Sequence, residues 1–125
     1  MAGTITAYGS LSFVNGNGAQ AQQQIPATKF TTAGDHYQTS VFSVPTTAGG
    51  TAIPLGGVSS PGGWFYFQNN DAANNVDILT GVSGAAFLTL KPGEFAVGRF
   101  NSGVTAPAAL AHGSPVELEY LILDA

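Results

Sequence analysis

Hydrophobic and polar positions alternate along this chain in short runs, with no sustained three-to-four-residue periodicity. Ile5, Ala7, Gly9, Leu11 and Phe13 share one parity, and Thr4, Thr6, Ser10 and Ser12 the other. That pattern is a strand with one buried face. Asn15-Gly16-Asn17-Gly18 follows as a turn signal. Further strands are expected over 25–30, 38–44, 51–55, 64–67, 76–79, 86–90, 95–100, 108–111 and 116–123. The second is interrupted by Pro26, which places it at an edge because proline has no N–H for a ladder. Trp64-Phe65-Tyr66-Phe67 is apolar at every position, as in a strand buried on both faces. Seventeen Gly and seven Pro are spread along the chain and oppose helices throughout.

Eight to ten short antiparallel strands at this spacing predict an all-β, two-sheet sandwich, with a jelly roll as the expected version. The 125 residues form a single domain, with no linker and no convincing repeat. Residues 1–24 are either an N-terminal arm that reaches a neighbour or, the preferred reading for 5–14, the first strand of the sandwich.

Turn chemistry accounts for most of the eye-catching motifs. In Lys91-Pro92-Gly93-Glu94 the proline presets φ and the glycine supplies positive φ, a type II turn across which Lys91 and Glu94 can pair weakly. Asn69, Asn70, Asp71, Asn74, Asn75 and Asp77 form an oxygen-rich stretch. It suits either a calcium-type site or turns capped by their own side chains, and its spacing matches no EF-hand loop. In the last strand Val116, Leu118, Tyr120 and Ile122 form the expected core face. Glu117, Glu119, Leu121 and Leu123 form the other, which passes from charged to apolar. Leu121 and Leu123 therefore need a cover, from a loop of the same chain or from a second subunit.

Charge changes the functional picture. Three basic and seven acidic residues make up 8% of the chain, against about 25% in ordinary soluble domains. Lys29, Lys91 and Arg99 are too few for a phosphate-binding stripe or a polybasic membrane patch, so neither nucleic acid nor membrane is an expected partner. No run approaches a membrane span. The start, Met1-Ala2-Gly3-Thr4, carries no signal-peptide pattern, and synthesis in a cytoplasm is expected. There is no cysteine, which removes disulfides and thiolate chemistry.

Catalytic constellations are lacking. Asp35 precedes His36 and His112 stands apart, but no nucleophile motif accompanies either. Glu117 and Glu119 resemble a glycosidase pair only as two glutamates on one exposed face. No catalytic residue, metal site or cofactor is expected. An uncharged polar surface suits burial against protein, since little charge has to leave water. The candidate interface residues are Gln20, Gln22, Gln23 and Gln24, which supply amide hydrogen bonds, together with Leu121 and Leu123.

From about residue 50 to 123 the chain also resembles small β-sandwich structural proteins of tailed bacteriophages. The resemblance is carried by Gly63-Trp64-Phe65-Tyr66-Phe67-Gln68-Asn69-Asn70-Asp71, Asn75-Val76-Asp77-Ile78-Leu79, Leu90-Lys91-Pro92-Gly93-Glu94 and Val116-Glu117-Leu118-Glu119-Tyr120-Leu121-Ile122-Leu123. It implies a virion component, first a head cement (decoration) protein bound to the major capsid protein. The alternative is a tail or fibre module that binds a host receptor or glycan. It further implies a homo-oligomer, a trimer by analogy with many virion parts.

Overall fold

The computed structural model describes residues 3–14, 16–32 and 34–125. Met1, Ala2 and Asn15, parts of the expected arm and turn, lie outside them. Ten strands follow one another: β1 (Thr4–Val14), β2 (Gln20–Thr31), β3 (Tyr37–Val44), β4 (Thr51–Ala52), β5 (Trp64–Asn69), β6 (Val76–Leu79), β7 (Ala86–Leu90), β8 (Phe95–Arg99), β9 (Ala108–Ala111) and β10 (Val116–Leu123). No described residue is helical.

Eight strands build two four-stranded sheets, ordered β3-β10-β5-β8 and β4-β9-β6-β7. The order has a simple origin. β6 pairs with β7, β5 with β8, β4 with β9 and β3 with β10, all antiparallel. The chain is thus one long hairpin folded about the β6–β7 turn. Rolling it up adds the pairs β10–β5 and β6–β9. This is a jelly roll, the architecture expected from the strand spacing.

β1 and β2 stand outside it. They pair only with each other, as a two-stranded ribbon. The expectation that 5–14 opens the sandwich therefore does not match the structure. The run 20–24, with no apolar alternation of its own, is the first half of β2. It is held in strand form by pairing with β1 and not by burial. Pro26 falls where the register slips: Ala7 faces Thr28 and Gly9 faces Ile25, so β2 carries one extra residue opposite Tyr8. A bulge is where a strand can tolerate a missing N–H.

Inward-facing residues of both sheets make the core. Phe65 and Phe67 of β5 pack with Phe100, at ring-centroid distances of 4.5 and 6.0 Å from it. Leu118, Tyr120 and Ile122 of β10 and Val76 and Ile78 of β6 surround them, all buried. Gly98 pairs with Phe65, and a Cβ there would come within 3.1 Å of Phe65 Cζ, so the end of the ring packs against bare backbone. The Tyr120 hydroxyl donates to Pro54 O at 2.7 Å, satisfying the one polar atom that this side chain carries inward.

The turns are tied by side chains. Asn69, fully buried, donates from Nδ2 to the carbonyls of Asn74 and Leu90 at 2.8 and 3.0 Å. Its Oδ1 accepts the Asp71 N–H. Asp71 in turn accepts the N–H groups of Ala73 and Asn74, and these bonds hold its carboxyl below the usual carboxylate range. Here the oxygen-rich stretch caps its own turn. Among the described residues no group of three or more His, Asp or Glu converges as a metal site would. At the Lys91–Glu94 turn Glu94 N–H donates to Lys91 O, and Gly93 has φ +80°, as type II requires. Glu94 Oε1 accepts the Lys91 backbone N–H at 3.0 Å.

Replacing Asn69 by alanine removes three hydrogen bonds from a fully buried site. Urea unfolding should register a loss of about 2–4 kcal/mol. A loss below about 1 kcal/mol would mean that Asn69 does not hold the two turns together.

Candidate interaction surface

The β1–β2 ribbon is amphipathic. Its register puts Ile5 opposite Phe30, Gly9 opposite Ile25, Leu11 opposite Gln23 and Phe13 opposite Ala21, all on one face. The other face pairs Thr6 with Lys29, Ser10 with Gln24, Ser12 with Gln22 and Val14 with Gln20. At eleven and twelve residues the strands span on the order of 35 Å. Only the base is shielded: Ile5 and Ala7 are half-buried, whereas Leu11 and Phe13 are 73% and 64% exposed.

The base is fixed to the sandwich in two ways. Phe30 stacks on Trp64, centroids 5.0 Å apart and planes 29° from parallel. At the root, Thr32 N–H donates to Gly3 O, and Gly34 N–H reaches Ala125 O. Asp124 pins this junction. Buried in the fold, its carboxylate accepts the N–H groups of His36, Ser59 and Ser60 and lies 3.0 Å from His36 Nδ1. His36 thus finds its closer carboxylate at Asp124, with Asp35 at 3.6 Å. Desolvation pushes the Asp124 carboxyl up, but the bonds from Ser60, His36 and Ser59 together outweigh it and hold the group below the ordinary value. A Cβ on Gly34 would collide with that carboxylate, so only glycine fits.

The ribbon overhangs the outer face of the β3-β10-β5-β8 sheet. Paired residues there form rows across the strands. Thr39, Leu121, Tyr66 and Val97 make one row, and Val41, Glu119, Gln68 and Phe95 the next. Leu123 sits beside Tyr37, and Trp64 beside Arg99. Glu117 and Glu119 lie toward one end of this face. Burial and the nearby Glu119 carboxylate raise the Tyr66 phenol, whose hydroxyl donates to Gln68 Oε1 at 2.6 Å. Trp64 and Tyr66 therefore face outward, and β5 alternates between the two sides. Its both-faces-apolar sequence serves the core on one side and this outer face on the other.

Between ribbon and sheet lies an open groove of about 1210 Å³. Leu11, Ile25 and Phe30 line one wall, and Trp64, Tyr66, Phe95, Val97, Leu121 and Leu123 the other. Among the described residues its single charged lining residue is Glu94. Phe95 and Val97 remain 65% and 56% exposed.

Of the residues singled out from sequence, Leu121 and Leu123, both half-buried, line this groove opposite the ribbon. Gln20, Gln22 and Gln24 lie on the polar face of the ribbon, Gln23 on the apolar face beside Leu11, and none of the four lines the groove. Phe30, Phe95 and Val97 join Leu121 and Leu123 as surface residues that alternation alone does not mark, and Trp64, in a run that reads as core, is turned outward. The signal for β8 is its inverted pattern, with small Ala96 and Gly98 inward and large Phe95 and Val97 outward. Elsewhere His112 Nε2 lies 2.7 Å from Asp77 Oδ2, while Thr89 donates its hydroxyl to Oδ1. Desolvation raises the Asp77 carboxyl, and the Thr89 and His112 interactions together bring it below the ordinary value. This cluster braces β6 against β7 and the turn after β9.

In comparisons with known proteins, no family model matches the chain, and neither a curated protein nor a solved structure matches it significantly.

Two expectations follow. Asp124 and Asp77 both titrate lower when folded, so their stabilisation is complete above the unfolded carboxylate value of about 3.9 and is lost as pH falls through the lower folded values. Urea midpoints taken from pH 7 to 2 should fall in that window, and Asp124→Asn should flatten the fall while costing about 1–3 kcal/mol at neutral pH. An unchanged acid limb would remove Asp124 from the account. Trp64 is the single tryptophan and reports directly on the ribbon. Phe30→Ala should red-shift its emission and increase acrylamide quenching with the sandwich still folded; an unaltered spectrum would mean that the ribbon does not shield Trp64.

Proposed function

We propose that this chain is a non-enzymatic structural subunit of a virion, a cement (decoration) protein that bridges and stabilises major capsid subunits. One observation carries the reading: the apolar face of the ribbon and the apolar part of the sheet face border a groove in which Glu94 is the one charged lining residue among those described. A surface of that kind is costly to leave in water and cheap to cover with protein, because few ions must be desolvated. Many weak contacts of this type, repeated over a lattice, add by multivalency. The jelly roll supplies a rigid body, and the ribbon projects from it as an arm with Gln20, Gln22 and Gln24 along its polar face. Such a protein works as a homo-oligomer on the particle surface after synthesis in the host cytoplasm. The resemblance of residues 50 to 123 to phage β-sandwich proteins points the same way.

A second reading has its own support. Trp64, Tyr66 and Phe95 line an open groove beside Glu94, and aromatic faces next to a carboxylate suit a sugar ring. On that reading the chain is a tail or fibre module binding a host receptor or glycan.

Quantitative mass spectrometry of purified particles separates the two. The cement reading predicts a copy number equal to the major capsid protein or a simple large fraction of it. A handful of copies would move the chain to the tail or fibre, and its absence from particles would overturn both readings.

A further inference from the structure

We propose that the open groove between the ribbon and β8 receives the tip of the same ribbon from a second copy of this chain. The inference rests on the reading of the chain as an assembly subunit and names the contact that would hold copies together.

The cis contact is the first argument. The sheet face already accepts this ribbon's apolar face, through half-buried Ile5 and Ala7 and through Phe30 stacked on Trp64. Both partners of that contact continue past the place where they meet. On the ribbon the same face runs on past Leu11 and Ile25, which line the groove, to Phe13 beyond it, and all three are more than half exposed. On the sheet the groove wall runs on through Tyr66 to Phe95 and Val97, whose exposed side chains border empty space. Donor and acceptor are unfilled extensions of one interface, and a neighbouring copy is the molecule certain to carry both.

Charge supports the same occupant. From Gly9 to Ile25 the sequence holds no charged residue, and among the described residues the groove is lined by one, Glu94. An uncharged tip enters such a groove without stranding an ion. A polyanion meets a chain of net charge −4, and a basic partner finds one carboxylate in the groove.

Because Phe13 lies outside the groove lining, donor and acceptor are different patches, and the contact is heterologous and satisfied everywhere only in a closed ring or reciprocal pair. Each copy gives one ribbon tip and receives one. In that arrangement Phe13 of the incoming tip lies against Phe95 and Val97, while Gln20, Gln22 and Gln24 face away from the groove.

The test uses the full chain in sedimentation equilibrium at up to about 100 µM, well above a micromolar Kd. The wild type should be oligomeric. Phe13→Asp removes the donor and Val97→Asp the acceptor, and both positions are exposed in the single chain. Each should weaken association by at least about tenfold with an unchanged circular dichroism spectrum and urea midpoint. An equimolar mixture of the two variants should recover a one-to-one complex, because one intact tip and one intact groove remain. A monomeric wild type, an effect from only one of the variants, or a mixture that stays monomeric would overturn the proposal. A monomer found nevertheless at coat-like copy number on particles would sink this contact and leave the cement reading standing.

Discussion

The β3-β10-β5-β8 sheet carries large apolar side chains on both faces, and the rest of the molecule is arranged around covering them. Period-two alternation sends Phe65, Phe67, Leu118, Tyr120 and Ile122 to one side, where the second sheet completes a close-packed core. The same strands send Trp64, Tyr66, Leu121 and Leu123 to the other. In a common antiparallel sandwich that outer side would be polar and wet. Here it is shielded at one end by the base of the β1–β2 ribbon and left open toward β8. The ribbon depends on this face in turn, since an isolated two-stranded hairpin is marginal in water. Its anchor is the Phe30–Trp64 stack together with the root pinned by Asp124.

Scarcity of charge sets what such a surface can do. Attraction between exposed ions contributes little and is screened by salt, while burial of apolar area contributes about 25 cal/mol for each Å². A chain with ten charged residues in 125 has little to gain from the first and a good deal from the second. Its charged groups serve local structure: Asp71 caps a turn, Asp77 braces β6 with His112, and Asp124 ties the ribbon root to the sandwich. None of the three enters the groove.

The eight strands of the sandwich were legible from alternation and turn chemistry because each is bounded by Gly, Pro or Asn and carries its own apolar face. The jelly-roll order followed as the standard way to close eight such strands. β2 was harder to read. Its Gln20 to Gln24 half has no apolar pattern, and its strand form comes from pairing with β1, a non-local cause. For the same reason 5–14 looked like a sandwich strand: its apolar parity is real, but the face it serves lies outside the core. Leu121 and Leu123 were recognisable as needing a cover because their face begins with two glutamates. Trp64 was misplaced, since four consecutive apolar residues look the same whether one face or both are in the core. Only the pairing of β5 with β8 and β10 separates those cases.

If copies of this protein associate through uncharged apolar surface, added salt should not loosen them. Self-association of the full chain would be followed by sedimentation from about 0.05 to 0.5 M NaCl, a range over which the screening length falls more than twofold. Affinity should stay flat or tighten slightly as salt rises. A steep loss of association with salt would mean that ion pairs hold the copies together, and would contradict association through uncharged apolar surface.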